Sequence, residues 1–124
     1  MIELTNGSIV RLGAVDPAEV VDGVHDLLVP GEQVLRAFKG IRDFVVFTDK
    51  RLVVVDVQGL TGRKRDFTSL PYSRVQAFSV ETAGTLDLDA ELDLWFSGLG
   101  NVRLEFRPQV DVRELARLIA ARVL

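Results

Sequence analysis

From Gln33 to Arg107 the chain alternates apolar and polar residues with a period of two, and this feature most restricts the possible folds. Such a period is typical of β-strands whose two faces meet different surroundings. The predicted strands are "QVLRAFK", "RDFVVFT", "RLVVVDV", "RKRDFTSL", "RVQAFSVE", "AELDLWFS" and "VRLEFR". Gly, Pro or Asp residues separate most of them, as expected for turns. The pattern therefore predicts seven strands within residues 33–107.

The last segment, "VDVRELARLIAARVL", has helical spacing instead. Apolar residues recur every three or four positions, and Asp111 with Glu114 has the spacing of a capping box, so a helix is predicted over 111–123. Seven strands followed by one amphipathic helix predict a mainly β fold. We expect an antiparallel barrel or orthogonal sandwich whose open end is closed by the C-terminal helix.

A second helix is predicted before the strands, over residues 16–29. In "VDPAEVVDGVHDLLV", Asp16 is the expected N-cap, Pro17 lies in the first turn and Glu19 completes a capping box. A chain of 124 residues fits one domain. We expect residues 1–15 to form an N-terminal segment and residues 16–124 to form that single domain.

The second and third predicted strands contain nearly continuous apolar runs, "FVVF" from Phe44 and "LVVVDV" from Leu52. An antiparallel strand with one wet face would alternate, so these strands are expected to be covered on both faces. The chain has two candidates for the second cover, the N-terminal helix or another subunit. The second candidate predicts self-association, with Phe44 in the interface.

Charge is distributed in two blocks. Residues 36–74 contain nine Lys or Arg and four Asp, whereas residues 75–102 contain five acids and no basic residue. This arrangement can attract an anionic ligand or further copies of the chain, although both blocks could also be merely solvated faces. The net charge of −3 gives no reason to expect a nucleic-acid partner.

The acidic block belongs to the sixth strand, "DLDAELDLWF", where Asp89, Asp93 and Trp95 share the outward face. Matching the inward faces of this strand and the next requires an odd-numbered loop or a bulge. One such register sets Asp93 opposite Arg107. An outward tryptophan is either a barrel-rim residue or an interface anchor. The residues predicted for an oligomer interface are Trp95, Asp93, Asp89 and Phe44.

The stretch "VQGLTGRKRDFTSLPY" poses a choice between a phosphate loop and a hairpin turn. A Walker-type loop needs four residues between its glycines and then Lys followed by Ser or Thr, whereas two residues separate Gly59 from Gly62. A hairpin turn is the better prediction. Arg63 and Arg65 then share one face of the following strand, and Lys64 lies on the other.

Two stretches, "RDFVVFTDKRLVVVDVQGLTGRKRDFTSLPYSRV" and "ETAGTLDLDAELDLWFSG", resemble the bacterial pleckstrin-homology-like domain family. The resemblance covers roughly residues 30–124. It implies a pleckstrin-homology (PH) fold of seven strands capped by a C-terminal helix, and a tendency towards ring-like homo-oligomers. It implies no established enzymatic activity.

Eukaryotic PH domains that bind inositol phosphates use basic residues around the first strand pair and its loop. The matching stretch here, "FKGIRDF", offers Lys39 and Arg42, and its connection is very short. The residues predicted for an anionic ligand are Lys39, Arg42, Arg63, Lys64 and Arg65. A membrane surface or a phosphate compound is the ligand that these residues would suit.

No catalytic, metal or cofactor site is expected. The chain has no cysteine, its one histidine is His25 in the predicted N-terminal helix, and the acidic strand lacks the spacing of an EF-hand. Neither a signal peptide nor a membrane span is apparent, so a cytoplasmic location is expected. The predicted function is a non-catalytic PH-like scaffold that binds itself and possibly another protein. The alternative is a binding module for anionic lipid or phosphate at the membrane surface.

Overall fold

The computed structural model describes residues 9–85 and 89–124. The strands are β1 (Ile9–Val15), β2 (Val34–Lys39), β3 (Phe44–Thr48), β4 (Arg51–Gln58), β5 (Lys64–Pro71), β6 (Val75–Glu81), β7 (Ala90–Phe96) and β8 (Gly100–Phe106). The α-helices are α1 (Val21–Val24) and α2 (Val112–Val123). Short 3₁₀ turns lie at Pro17–Glu19, His25–Leu27 and Tyr72–Arg74.

The strands form one sheet in the order β5-β4-β3-β2-β1-β8-β7-β6. Every neighbouring pair is antiparallel except β1 and β8, which are parallel. Helix α2 packs against β6, β7 and the Tyr72–Arg74 turn. The main core contains buried side chains from all eight strands, with Leu70 from β5 and Val75 from β6, and it also includes Leu115 and Ile119 of α2. The predicted mainly β architecture with a C-terminal helix is confirmed.

The sheet contains an eighth strand that the sequence pattern did not show. Strand β1 lies between β2 and β8, so it joins the two halves of the sheet. Its buried residues, Ile9 and Leu12, are three apart, because the pairing with β8 shifts register between them. Arg11, between them, has a left-handed φ of 56°. This irregularity breaks the period of two that identified the other strands.

The continuous helix predicted over 16–29 is wrong. Asp16 does form the predicted capping box with Glu19, but the segment then makes only a 3₁₀ turn, the four-residue α1 and a second 3₁₀ turn. Close packing accompanies this break, since a Cβ added at Gly23 would lie 3.0 Å from the Phe44 ring. We call residues 16–29 the N-terminal strap, because they cross the outer face of the sheet.

The strap supplies the second cover for β3 and β4. Its Val20 and Val24 are buried in a second apolar cluster, separate from the main core. The sheet contributes the remaining buried members, Ala37, Phe44, Val46, Val53 and Val55. Of the two candidates for this cover, the one that required another subunit is therefore wrong. Phe44 is only 5 % exposed, so its prediction as an interface residue is also wrong.

Helix α2 begins after Asp111, whose carboxylate accepts hydrogen bonds from the backbone N–H groups of Arg113 and Glu114. The Glu114 carboxylate does not complete a capping box. It accepts a hydrogen bond from Arg36 Nε on β2 and thereby joins the helix to the sheet. The predicted helix is confirmed, and the second half of its predicted cap is replaced by a tertiary ion pair.

The β7–β8 hairpin has the odd-numbered loop that the sequence required. Phe96 pairs with Gly100 across a three-residue loop, 97–99, and Gly98 and Gly100 have positive φ angles of 78° and 93°. This tight loop sets Asp93 opposite Arg103. The predicted pairing of Asp93 with Arg107 is therefore wrong, because it required a turn centred on residue 100 and the observed turn is centred on residue 98.

Candidate functional site

Two hairpin turns meet at one end of the sheet. The β2–β3 turn contains residues 40–43, and the β4–β5 turn contains residues 59–63. The Arg42 guanidinium donates a hydrogen bond to the Gly59 carbonyl and so links the turns. Gly59 and Gly62 have φ angles of 77° and 68°. The hairpin prediction for this stretch is confirmed, since β4 and β5 are antiparallel neighbours.

An open groove of about 650 Å³ lies between these turns and the strap. Lys39, Arg42 and Arg65 line it, with Phe44 and Val57 among its apolar residues. Lys39 ends β2, Arg42 lies in the first turn and Arg65 lies in β5, so three separate segments supply the cations. The structure therefore brings together three of the five cations predicted for an anionic ligand.

The other two predicted cations are exposed but do not line the groove. Arg63 ends the second turn, and its backbone N–H donates to Thr61 Oγ1 at 3.3 Å. Lys64 pairs with Gln58 across the hairpin, on the opposite face of β5 from Arg65. Both still add positive charge to the same end of the molecule, because charge acts over about a Debye length of 8–10 Å.

Two large aliphatic side chains project from the tips of the turns. Ile41 is 91 % exposed and Leu60 is fully exposed, and both line the groove. Neither contributes to a core cluster. The sequence analysis did not single them out. The available signal was a lone aliphatic residue at each turn, in "KGIRD" and "QGLTG", where a polar residue is usual.

The strap forms the other wall of the groove and contributes acidic residues. Glu19 and Asp22 line that wall. The Glu19 carboxylate accepts a hydrogen bond at 3.1 Å from the backbone N–H of Asp16, the N-cap residue of the strap. Within the described residues, no ion pair within 4.0 Å joins either carboxylate to Lys39, Arg42 or Arg65. The groove thus holds opposite charges on facing walls without neutralising them.

Two carboxyl groups lie close together near the first turn, Asp43 in that turn and Asp56 in β4. Burial raises the pKa of Asp43, and the nearby Asp56 carboxylate raises it further, although a hydrogen bond from the Val57 N–H opposes both effects. These two aspartates line a second cavity of about 240 Å³ beside β1. Their charge reduces the net positive charge of this end of the molecule at neutral pH.

The residues predicted for an oligomer interface lie mostly on the outward face of β7. Trp95 is 38 % exposed and lies between Ala77 of β6 and Asn101 of β8. Asp93 is buried, and its carboxylate accepts a hydrogen bond from Arg103 Nε at 2.9 Å. Asp89 is half-buried and has an interaction partner. Of the four predicted interface residues, Trp95 alone offers a large accessible side chain.

The remaining predictions concern metals, catalysis and membranes. The described parts of the chain contain no group of three or more His, Cys, Asp or Glu residues arranged to hold a metal ion. His25 is exposed beside Asp26. Asp87 and Leu88 of the acidic strand lie outside the described residues. Among residues 9–85 and 89–124, no helix has the length and apolar character needed to cross a membrane.

Comparison with known structures defines the class of fold first. The chain superposes on a protein from Shewanella loihica PV-4 that has a pleckstrin-homology domain. The TM-score is 0.81 and the sequence identity 39%, and the superposition covers 93% of this chain and 99% of the other. A pleckstrin homology domain from Shewanella amazonensis SB2B gives a TM-score of 0.68 and 40% identity over 89% and 90% of the two chains.

Sequence comparison then identifies the family. Residues 3–123 match the family described as "Bacterial PH domain". The uncharacterized protein YjqA of Bacillus subtilis (strain 168) is 42% identical over 118 residues, which is 94% of each chain. This chain belongs to the bacterial PH domain family. The match includes β1 and the strap, which the resemblance seen in the sequence did not reach.

Proposed function

We propose that this protein is a non-catalytic PH module that binds anionic, phosphate-bearing membrane surfaces through the groove and its two turns. One observation carries the proposal: Lys39, Arg42 and Arg65 converge beside the exposed side chains of Ile41 and Leu60. Cations attract lipid phosphates, and apolar tips gain by entering the interface. The apolar tips do not stabilise the fold of the isolated chain, because they pack against no core cluster.

The expected affinity for a single copy is modest. Each cation near an anionic leaflet contributes about 1 kcal/mol, and each aliphatic side chain that enters the interface contributes up to about 2 kcal/mol. Ordering and orientation oppose these gains. A dissociation constant between about 1 mM and about 10 μM follows, with a steep dependence on salt. Binding of this strength suits a module that is recruited reversibly.

Vesicle flotation at low and high salt tests the proposal. The chain is expected to float with phosphatidylglycerol vesicles at low salt and to be released at high salt. The double variant Lys39→Glu/Arg42→Glu should abolish flotation. The matched control Lys50→Glu/Arg74→Glu changes two exposed cations outside the groove and should reduce binding far less. Absence of flotation by the native chain at low salt would refute the proposal.

The turn tips require a separate test. Ile41→Ser/Leu60→Ser should weaken flotation several-fold and leave stability within about 0.5 kcal/mol, because both side chains are exposed. Leu124→Ser is the matched control, since Leu124 is also highly exposed but lies far from the turns in the sequence. Equal binding by the tip variant and the control would limit the site to electrostatic attraction.

A second candidate function is self-association into a homo-oligomer, and the ends of the sheet favour it. In the described sheet, β5 and β6 each pair with only one neighbour. Such end strands expose backbone groups that a second copy can pair with. Strand β5 begins with Lys64 and Arg65, whereas β6 ends with Glu81, and Trp95 is exposed on the strand next to β6. Contact between unlike ends is heterologous and closes into a ring when its rotation permits.

Light scattering coupled to size-exclusion chromatography tests self-association. A mass several times that of one chain is expected at tens of micromolar, and Trp95→Ala with Glu81→Arg should lower it. Asp26→Arg, which changes an exposed acid on the strap, is the control and should leave the assembly intact. A clean monomer for the native chain would remove this candidate. Oligomers would also present several grooves together and so strengthen membrane binding by avidity.

A further inference from the structure

The groove carries both signs of charge, and this goes beyond what an anionic surface alone requires. Its turn wall presents Lys39, Arg42 and Arg65, and its strap wall presents Glu19 and Asp22. A site adapted only to anions would bind them more tightly without Glu19 and Asp22, because these carboxylates repel a negatively charged ligand. Opposite charges across a groove can be satisfied together by a ligand that has a positive and a negative group.

Packing holds the strap in place beside the sheet. The strap is anchored beneath the acids by the buried side chains of Val20 and Val24. Gly23 lies directly against the Phe44 ring and the Arg65 guanidinium, where an added Cβ would be 3.0 Å and 3.3 Å from them. The acids therefore cannot approach the cations by movement of the strap without disrupting its packing.

Asp22 and Lys39 have available polar groups. Neither makes a hydrogen bond or ion pair with the described residues, and both are exposed. Arg65 makes one weak hydrogen bond, from Nε to the Gly62 carbonyl at 3.4 Å, so most of its donors remain available. The groove thus offers carboxylate acceptors on one wall and guanidinium or ammonium donors on the other.

We propose that the groove recognises a zwitterionic phosphate ester that carries a primary ammonium group, the chemistry of a phosphoethanolamine headgroup. The phosphate faces Lys39, Arg42 and Arg65, where guanidinium groups can donate paired hydrogen bonds. The ammonium group faces Glu19 and Asp22 and donates its three hydrogens to carboxylate oxygens. This inference rests on the proposed function and specifies the ligand of the same groove.

Flotation on two matched vesicles tests the inference. Both contain the same fraction of phosphatidylglycerol, and the remaining lipid is either phosphatidylethanolamine or phosphatidylcholine, whose ammonium group is methylated and cannot donate. The native chain is expected to bind the phosphatidylethanolamine vesicle about five-fold more tightly, because only its ammonium group can donate hydrogen bonds to the two carboxylates. A primary ammonium and its trimethylated counterpart carry the same charge, so hydrogen bonding is what this comparison measures.

The variant Glu19→Gln/Asp22→Asn should bind the phosphatidylcholine vesicle more tightly, because two charges that repel phosphate are removed. Its preference for phosphatidylethanolamine should fall to about one, because the partners of the primary ammonium group are lost. Gln at position 19 can still cap the strap. Asp26→Asn, an exposed acid that does not line the groove, is the control and should keep the preference. Soluble glycerophosphoethanolamine, compared with glycerophosphocholine in an NMR titration, distinguishes a free ligand from a membrane headgroup.

The outcomes separate the two proposals. Failure to bind either vesicle at low salt overturns the proposed function and this inference with it. Equal binding of the native chain to both vesicles overturns the inference alone when soluble glycerophosphoethanolamine also binds no better than glycerophosphocholine. A preference that survives in Glu19→Gln/Asp22→Asn also overturns it, because the ammonium group would then be recognised elsewhere. Chemical-shift changes at the groove with soluble glycerophosphoethanolamine alone, and no preference between vesicles, would support the ligand chemistry and assign it to a free compound.

Discussion

Replacing Glu32 by Gln should destabilise the fold strongly, because this carboxylate joins three parts of the chain. Its side chain is 1% exposed and receives two hydrogen bonds from Arg51, both at 2.9 Å. Thr48 Oγ1 donates a third at 2.7 Å, and the Val29 N–H donates a fourth at 3.1 Å. Arg51 also donates to the Leu27 carbonyl at 2.6 Å, so the network ties the end of the strap to β4.

The pKa of Glu32 gives the magnitude. Burial alone would raise this pKa, but the hydrogen bonds from Arg51, Thr48 and Val29 outweigh burial and lower it from 4.5 to about 2. Since one pKa unit corresponds to about 1.4 kcal/mol, the ionised carboxylate stabilises the fold by about 3 kcal/mol at pH 7. Breaking a buried ion pair by removing one partner typically costs a similar amount, because the other charge loses its partner.

The sign of the pH dependence follows from the lowered pKa. The stabilisation is complete above the unfolded-state pKa of about 4.5 and is lost as the pH falls from there through about 2. Urea unfolding of the native chain and Glu32→Gln should therefore differ by about 3 kcal/mol at pH 7 and by about 1 kcal/mol at pH 3. Circular dichroism and the fluorescence of Trp95, the one tryptophan, report the transition.

Glu81→Gln is the matched control, because Glu81 is exposed at the end of β6 and its change should stay within about 0.5 kcal/mol. A difference below about 1 kcal/mol for Glu32→Gln at pH 7 would refute the reasoning, since the pair would then contribute no more than a surface salt bridge. A difference that is the same at pH 7 and pH 3 would also refute it, because altered packing and not charge would then be the cause.

Three further substitutions test packing and turn geometry. Val24→Ala should lower the free energy of unfolding in urea by about 1–3 kcal/mol, since Val24 is fully buried beneath the strap; no change would contradict the strap as a cover. Leu115→Ala on α2 should lower it by about 2–5 kcal/mol, and Leu124→Ala, an exposed control, should not. Gly62→Ala should cost about 1–2 kcal/mol, because φ is 68° and the new Cβ would lie 3.3 Å from Val57. An unchanged urea midpoint would contradict that turn.

The candidate site was only partly predictable. Lys39 and Arg42 were recognised because they lie around the first strand pair and its loop, where PH domains that bind inositol phosphates carry basic residues. Arg65 was recognised because it lies in a dense basic run. The acids Glu19 and Asp22 were assigned to a helix and not to a site. They lie between 17 and 46 positions before the cations in the chain, and only the path of the strap across the sheet places them in the same groove.

The predicted interface residue Phe44 also depended on which segment covers the sheet. The apolar runs of β3 and β4 correctly indicated two covered faces, and both are covered. Periodicity reports that a face is apolar, but it carries no information about which segment lies on it. Only the coordinates could show whether the strap or another subunit covers β3 and β4, and the covering segment is the strap.

The sequence by itself determined the strands β2 to β8, their turns, the cap at Asp16 and helix α2, because these depend on short-range periodicity, φ preferences and local hydrogen bonds. The tertiary structure decided the place of β1, the break in the N-terminal helix, the ion pair between Glu32 and Arg51 and the two-signed groove. Each of these depends on which distant segments share a surface, and that is set by burying apolar area over the whole chain at once.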